Sequence, residues 1–308
     1  MLNLSIFGAK KISLNFIDQI SAHSPNIIVW AIPFMFFFAG LELFMSYKQH
    51  RHYYDTRETI GSTLVGLGNV AVNALLKTSL LLLVAWIYNQ LPWRMKLNWW
   101  TFIPCYILFD FCSYWAHRVS HEQRFWWATH VAHHSGENYN LTTSFRLSWV
   151  QNLKIIFFLP TALIGFHPII IFAVSQSAVL FQFWVHTEYI RKLPRWVEYV
   201  FATPSNHRVH HGSQEKYIDK NYGATFILWD RMFGTYQPEE EKVIYGITKE
   251  MKKKADPLYI NFHEYGDMWE DVKSTKSFRR KLFYIFGNPG KIAREKQRLA
   301  KLKKEAAE

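Results

Sequence analysis

A chain of 308 residues has room for one large domain or two small ones, and its 13 Trp, 16 Tyr and 25 Phe, with several apolar runs of spanning length, place it in a membrane. The mean hydropathy of -0.10 hides this, because it averages an apolar first half with a basic second half. The net charge of +12 comes with no nucleic-acid motif, no glycine-rich phosphate loop is present, and two cysteines, Cys105 and Cys112, give no disulfide framework.

The first twenty residues, MLNLSIFGAKKISLNFIDQI, put lysines after a short apolar start with no apolar region following. That order is wrong for a cleaved signal peptide and predicts a short amphipathic surface helix. A first span follows from Ile27 to Tyr47, long enough for a ~30 Å hydrocarbon core. Lys48, Arg51 and Arg57 come directly after it and predict a cytoplasmic loop. Leu64 to Leu91 holds a second span, in which Lys77 snorkels or faces a polar interior. Trp93, Trp99 and Trp100 then form an aromatic belt at the far interface, and a third span from Trp99 to Trp115 runs straight into His117. Cys105 and Cys112 lie within it as small buried hydrophobes. Leu153 to Trp184 is apolar but broken at Gly165-Phe-His-Pro168, which predicts two short helices in a hairpin across or partly into the bilayer.

Counting crossings returns both His117 and His186 to the cytoplasmic side. The remainder agrees, since 24 of the 36 Lys and Arg but 17 of the 24 Asp and Glu lie after His186. A net +7 suits a cap resting on an anionic leaflet, and the final KIAREKQRLAKLKKEAAE reads as a basic helix. The expected fold is an all-α integral membrane protein: a bundle of about four membrane-spanning helices with a cytosolic helical cap holding a histidine-rich di-metal site. Three segments follow: residues 1–97 with the surface helix and first two spans, 98–247 as the catalytic region, and 248–308 as a basic cytosolic tail. The membrane is a bacterial inner membrane or the endoplasmic reticulum.

Chemistry concentrates where the third span ends. His117 and His121 form H-x-x-x-H, and His130, His133 and His134 form H-x-x-H-H. A second H-x-x-H-H holds His207, His210 and His211, so eight of the fourteen histidines fall in ligand-spaced clusters. Residues three and four apart share a helix face, so each motif is expected to aim its imidazoles at one point. One transition ion takes about four to six ligands, and eight imidazoles therefore predict two ions. No H-E-x-x-H of a zincin protease occurs, and carboxylates are few, which argues against two-metal hydrolysis and for redox iron with dioxygen. Asp110, spaced with Tyr114, His117 and His121 along one face, reads as an acceptor that orients a ligand imidazole. His186, emerging from the hairpin on the same side, is a candidate ninth ligand, and Gln182 one turn earlier a weak ligand or donor. After His211, Asn221, Asp230, Arg231 and Gly234 read as loop chemistry packed under the site.

The stretches FDFCSYWAHRVSHE, HVAHHSGENYNLTTSFR, FQFWVHTE, PSNHRVHHGSQEKYIDKNYG and WDRMFGTYQPEEEKVIYGIT resemble the fatty acid hydroxylase and sterol desaturase superfamily of membrane di-iron enzymes. Over roughly residues 100–247 they are most similar to its branch of alkylglycerol-cleaving monooxygenases. The resemblance implies two iron ions held by the eight box histidines with His186, and a functional Glu122. It implies a lipid substrate, dioxygen and an electron donor, tetrahydrobiopterin in the ether-cleaving branch. On an ether lipid, hydroxylation next to oxygen gives a hemiacetal that falls apart. The nearer rival is hydroxylation or desaturation of a sterol, fatty acyl chain or carotenoid. The remote one is a non-enzymatic membrane metal-binding protein, which would spread its ligands along the spans rather than gather them at one interface.

Overall fold

The computed structural model describes residues 8–12 and 27–305, in which all regular structure is helical apart from one isolated bridge between Phe201 and Phe226. Helix α1 spans Ile27–Lys48 and α2 spans Thr56–Gln90, and both are long and apolar enough to cross a bilayer. Only 17% and 22% of their most apolar windows are buried, so these apolar surfaces face outward. Trp30, Phe34, Phe37 and Leu75 are each more than half exposed, as expected of side chains solvated by lipid. Pro33 sits inside α1, a position that spanning helices tolerate.

Asp55 starts α2 by accepting a hydrogen bond from the Glu58 amide at 2.9 Å. At 35 residues α2 is ~52 Å long, well beyond the ~30 Å a bilayer core needs. Its first turns therefore continue past the membrane, and they are where Glu58, Gly61, Ser62, Val65 and Asn69 are buried against the catalytic region. Small residues allow that approach. A Cβ on Gly61 would lie 2.3 Å from the Lys254 carbonyl oxygen, and one on Gly68 would enter the Trp149 indole.

Helix α3, Phe102–Glu122, is one uninterrupted rod carrying both the apolar sequence of the expected third span and His117 and His121. After α4 (Arg124–Ala128) and α5 (Val131–His134), the hairpin is built from α6 (Ile155–Leu163) and α7 (Pro168–Trp184). The expected break is present. Gly165 turns there with a φ of +95°, and a Cβ would come within 2.6 Å of the Trp93 carbonyl oxygen. Val84, Cys105, Phe109, Phe166, Ile170 and Val174 pack into one core joining α2, α3 and the hairpin, and both cysteines are buried and free. Among the described residues two helices meet the length and apolarity of a crossing, and the apolar α7 is shorter at 17 residues. The α3 rod ends in charged and histidine residues, and α6 at nine residues is ~14 Å long.

Of the expected N-terminal surface helix, residues 1–7 and 13–20 lie outside the described residues, and residues 8–12 are not helical. Short helices α8 (Arg195–Val200), α9 (Pro204–His210) and α10 (Leu228–Phe233) complete the catalytic region. Beyond it lie α11 (Pro257–Lys273), α12 (Phe278–Phe286) and α13 (Pro289–Glu305), the last being the expected basic helix. Arg124 clamps this end to α4, with Nε 2.7 Å from Glu264 and a terminal nitrogen 2.6 Å from Asp271.

Two buried carboxylates on the long helices hold the loop that follows α5. Glu42 of α1 accepts from the Leu141 amide at 2.8 Å and from the hydroxyls of Tyr54 and Thr187. Glu58 of α2 accepts from the Glu137 and Asn138 amides at 3.1 and 3.0 Å and from the Asn138 side chain at 3.1 Å. Glu58→Ala leaves those donors without their acceptor, at about 1–3 kcal/mol each where water cannot replace it. A lowered thermal midpoint with unchanged helix content is expected, and an unchanged midpoint contradicts the assignment.

Candidate metal centre

The end of α3, the turn at α5, the residue two past α7 and the whole of α9 meet in one place. Thr203 caps α9 by accepting from the Asn206 amide at 3.3 Å, and Pro204 occupies its first turn. Nine imidazoles converge in two groups whose ligand atoms lie within 4.8 Å of one another. One group is His117, His121, His130, His134 and His210; the other is His133, His186, His207 and His211.

The sorting corrects the expectation that each motif serves one point. A helix advances ~100° per residue, so positions four apart sit ~40° apart, while the position between them at +3 lies ~60° away on the other side. His130 and His134 therefore share one group while His133 turns to the other, and His207 and His211 share theirs while His210 crosses over. The two H-x-x-H-H motifs are built oppositely, so each group takes a pair from one and a single from the other. His117 and His121 complete the first group, and His186 completes the second.

Hydrogen bonding fixes which nitrogen points inward. Nδ1 of His117 lies 2.8 Å from the Tyr222 carbonyl, that of His210 2.9 Å from Lys220, and that of His186 2.6 Å from Gln182. A carbonyl only accepts, so these Nδ1 atoms carry the proton and each Nε2 presents a lone pair. Two of those Nε2 atoms face other imidazoles: His186 meets His133 at 3.2 Å and His207 at 3.0 Å, and His210 meets His134 at 3.1 Å. Nε2 of His117 and of His121 is buried with no partner. Ring nitrogens gathered within 3.0–3.2 Å of one another and orphaned buried nitrogens fit a donor set built for cations.

Burial is the largest influence on all nine, pushing every one below the ordinary histidine value, His210 to about 4 and His186 to about 3. The set is therefore neutral at pH 7, as imidazole ligation requires.

Asp110 does not reach an imidazole, which corrects its expected role. It is fully buried, and its oxygens accept from the Thr225 and Phe226 amides at 2.8 and 3.0 Å and from the Trp229 indole at 2.9 Å. It anchors the segment just after Tyr222 and acts on His117 only through that segment. The carboxylate beside a ligand-set histidine is Asp219, 3.8 Å from Nδ1 of His121 and absent from the sequence-based candidates. Burial, then the nearby Glu122, raise its carboxyl above the usual range. Asp219 and Asn221 have φ of 60° and 55°, the left-handed region that Asp and Asn enter most readily, and that preference was the available signal.

The loop residues hold this strand of carbonyls in place. Asp230 accepts from the Tyr222 and Gly223 amides at 2.8 and 2.7 Å, and Asn221 donates to Asn206 and Gln237 carbonyls at 3.0 and 2.8 Å. Arg231 lies over the Tyr236 ring, and Gly234 ends α10 at a φ of +73°. Gln182 serves through its backbone carbonyl, while its side chain turns to Ala178. Arg146, another residue without an expected role, is buried behind α5 and donates to the Ala132 carbonyl at 3.0 Å and Ser135 at 2.6 Å. Glu122 pairs with Arg118 at 2.8 Å, its side chain 44% exposed, and meets no imidazole.

Residues 102–235, the stretch that carries all nine histidines, match the profile of the fatty acid hydroxylase family. That segment is similar to the fatty acid hydroxylases. The chain is 43% identical to an alkylglycerol monooxygenase of Xenopus tropicalis and 42% identical to that of Homo sapiens, in each case over 65% of this chain and 44% of the relative. It thus spans under half the length of these curated relatives. An ornithine lipid hydroxylase of Rhizobium tropici is 25% identical over 65% of this chain and 63% of its own. No solved structure matches. The similarity to fatty acid hydroxylases together with this donor set points to a histidine-rich metal site, and the chain's two outward-facing apolar helices suit an integral membrane protein.

Replacing His133 or His210 by Ala removes one donor from each group, so metal content falls in both variants, while His263→Ala, outside either group, leaves it unchanged. Asp110→Asn, which keeps one acceptor oxygen, retains more metal than Asp110→Ala. Metal analysis of the purified variants checks both. The metal-free protein loses stability in acid. The unfolded chain protonates its imidazoles near 6.5, whereas burial holds them lower in the folded chain, His210 at about 4 and His186 at about 3, so stability is full above about 6.5 and falls as pH drops below it. Thermal melts that are flat over this range contradict the burial argument.

Proposed function

We propose that the chain is a membrane lipid monooxygenase in which each histidine group holds one iron ion, and that it cleaves the ether bond of alkylglycerol lipids. The observation that supports this most is the pairing of two neutral imidazole groups, five and four strong and buried except for the half-buried His117 and His130, in a segment similar to alkylglycerol monooxygenases. His117, His121, His130, His134 and His210 would hold one ion and His133, His186, His207 and His211 the other. Bound iron supplies the power to oxidise an unactivated C–H bond with dioxygen and a reductant.

The chain's own part is placement. Carbonyls of Tyr222, Lys220 and Gln182 keep three imidazoles in the ligating tautomer, and Asp219 lies beside a fourth. Burial excludes water from the donors. The α3 rod continues from apolar sequence into His117, so a lipid chain in the bilayer lies alongside the helix that carries the first group. Hydroxylation of the carbon next to the ether oxygen leaves a hemiacetal, which collapses to an aldehyde and a glycerol.

Tetrahydrobiopterin is the proposed electron donor, after the ether-cleaving branch, and Glu122 with Arg118 stands on the exposed rim where a reductant can reach. The proposed topology puts residues 48–58, the centre and the basic helices on the cytoplasmic face. A second reading, hydroxylation of an intact lipid without cleavage, draws on the similarity to the ornithine lipid hydroxylase.

Iron-loaded protein given an alkylglycerol, dioxygen and a reduced pterin is expected to release a fatty aldehyde, and His210→Ala to release none. Glu122→Gln keeps both metals but loses turnover. A hydroxylated, uncleaved lipid supports the second reading; no oxidised lipid from either substrate class, with two irons bound, contradicts both.

A further inference from the structure

The second histidine group is walled by a ring that leads away from it. Tyr139 is 2% exposed, and its ring centroid lies 5.2 Å from that of His211 and 5.7 Å from that of His186. Its other face stacks on Tyr245 at 4.9 Å with the planes 12° apart. Tyr245 is half-buried, and its hydroxyl donates to a carboxylate oxygen of Glu188. Gly246, with a φ of +98° and only 3.1 Å of room beside Glu137, lets the chain turn away immediately after Tyr245.

The two phenols differ in what their hydroxyls meet. That of Tyr139 donates to the Val185 carbonyl at 2.9 Å, which takes no proton. An oxidised Tyr139 therefore has nowhere to lose its proton, whereas Tyr245 has a carboxylate in contact. Other rings at the centre lack this arrangement. Trp127 contacts His121 and His134 and no further ring among the described contacts, and the buried Tyr222 hydroxyl has no partner.

We propose that Tyr139, Tyr245 and Glu188 form an escape route for oxidising equivalents, protecting the histidines when no lipid is in place. Tyr139 would pass one electron to iron activated with dioxygen, which His133, His186, His207 and His211 would hold, and Tyr245 would pass one to Tyr139. The O–H bond of Tyr245 breaks, its proton moves to Glu188, and a neutral phenoxyl radical remains on Tyr245. A soluble thiol or ascorbate-type reductant returns the electron at the half-buried ring, and Glu188 returns the proton, so the protein ends unchanged. The Tyr245 hydroxyl already hydrogen-bonds the Glu188 carboxylate, so its proton has an acceptor in contact when the electron leaves. The route rests on the oxygenase reading above.

The test uses the iron-loaded full chain with dioxygen and a pterin reductant but no lipid, freeze-quenched for electron paramagnetic resonance. A tyrosyl signal that narrows with ring-deuterated tyrosine is expected, lost to background in Tyr245→Phe and reduced in Glu188→Gln, with metal content unchanged in both. Peptide mass spectrometry after prolonged lipid-free turnover is expected to show oxidised His211, His186 and Tyr139 accumulating in Tyr245→Phe beyond the parent. A protein that oxidises lipid yet gives the same signal and the same damage in Tyr245→Phe overturns the route alone. A protein that neither oxidises lipid nor consumes dioxygen overturns the oxygenase reading, and this one with it.

Discussion

Nine neutral imidazoles crowd into one largely buried volume, with ring nitrogens of neighbouring histidines 3.0–3.2 Å apart, an arrangement that cations placed between them would satisfy. The rest of the catalytic region serves this constraint. Burial makes charge costly there, so the set stays neutral at pH 7 and open to metal. Tautomers must then be fixed by the outer nitrogens. Backbone carbonyls do much of this, at Tyr222, Lys220 and Gln182, with Asp219 beside His121.

A backbone carbonyl orients an imidazole only as well as its loop is held. The buried polar residues around the site do that holding. Asp110 and Asp230 gather the amides of residues 222–226, Asn221 braces the preceding turn, and Arg146 fixes the helix of the second box. From the membrane side Glu42 and Glu58 reach out of α1 and α2 to the loop at 137–141. A carboxylate in an apolar helix is costly without partners, and here each has several. The long helices are thereby tied to the donor set as well as anchored in lipid.

The eight box histidines were legible because ligand spacing is a local, helical signal, and the hairpin break because Gly165 and Pro168 announce it. The partition of the boxes was not, since spacing identifies a shared face while the split depends on the opposite angular offsets of the +3 and +4 positions. Asp110 was misjudged for a related reason. It does lie in line with His117 and His121, but the carboxylate turns to the amides of a segment 115 residues away, which no local pattern displays. Asp219 escaped notice because its approach to His121 needs a left-handed turn at a non-glycine residue. The number of crossings is less legible, since apolar composition alone does not separate a spanning helix from a buried one that ends in ligands.

The central claim is that two metal ions lie side by side, one in each imidazole group. Anomalous X-ray scattering at the iron edge, on crystals of the active protein, tests it most directly. The account predicts two peaks per chain, one among His117, His121, His130, His134 and His210 and the other among His133, His186, His207 and His211. A single peak shared by all nine, or a peak outside either group in active protein, would contradict it.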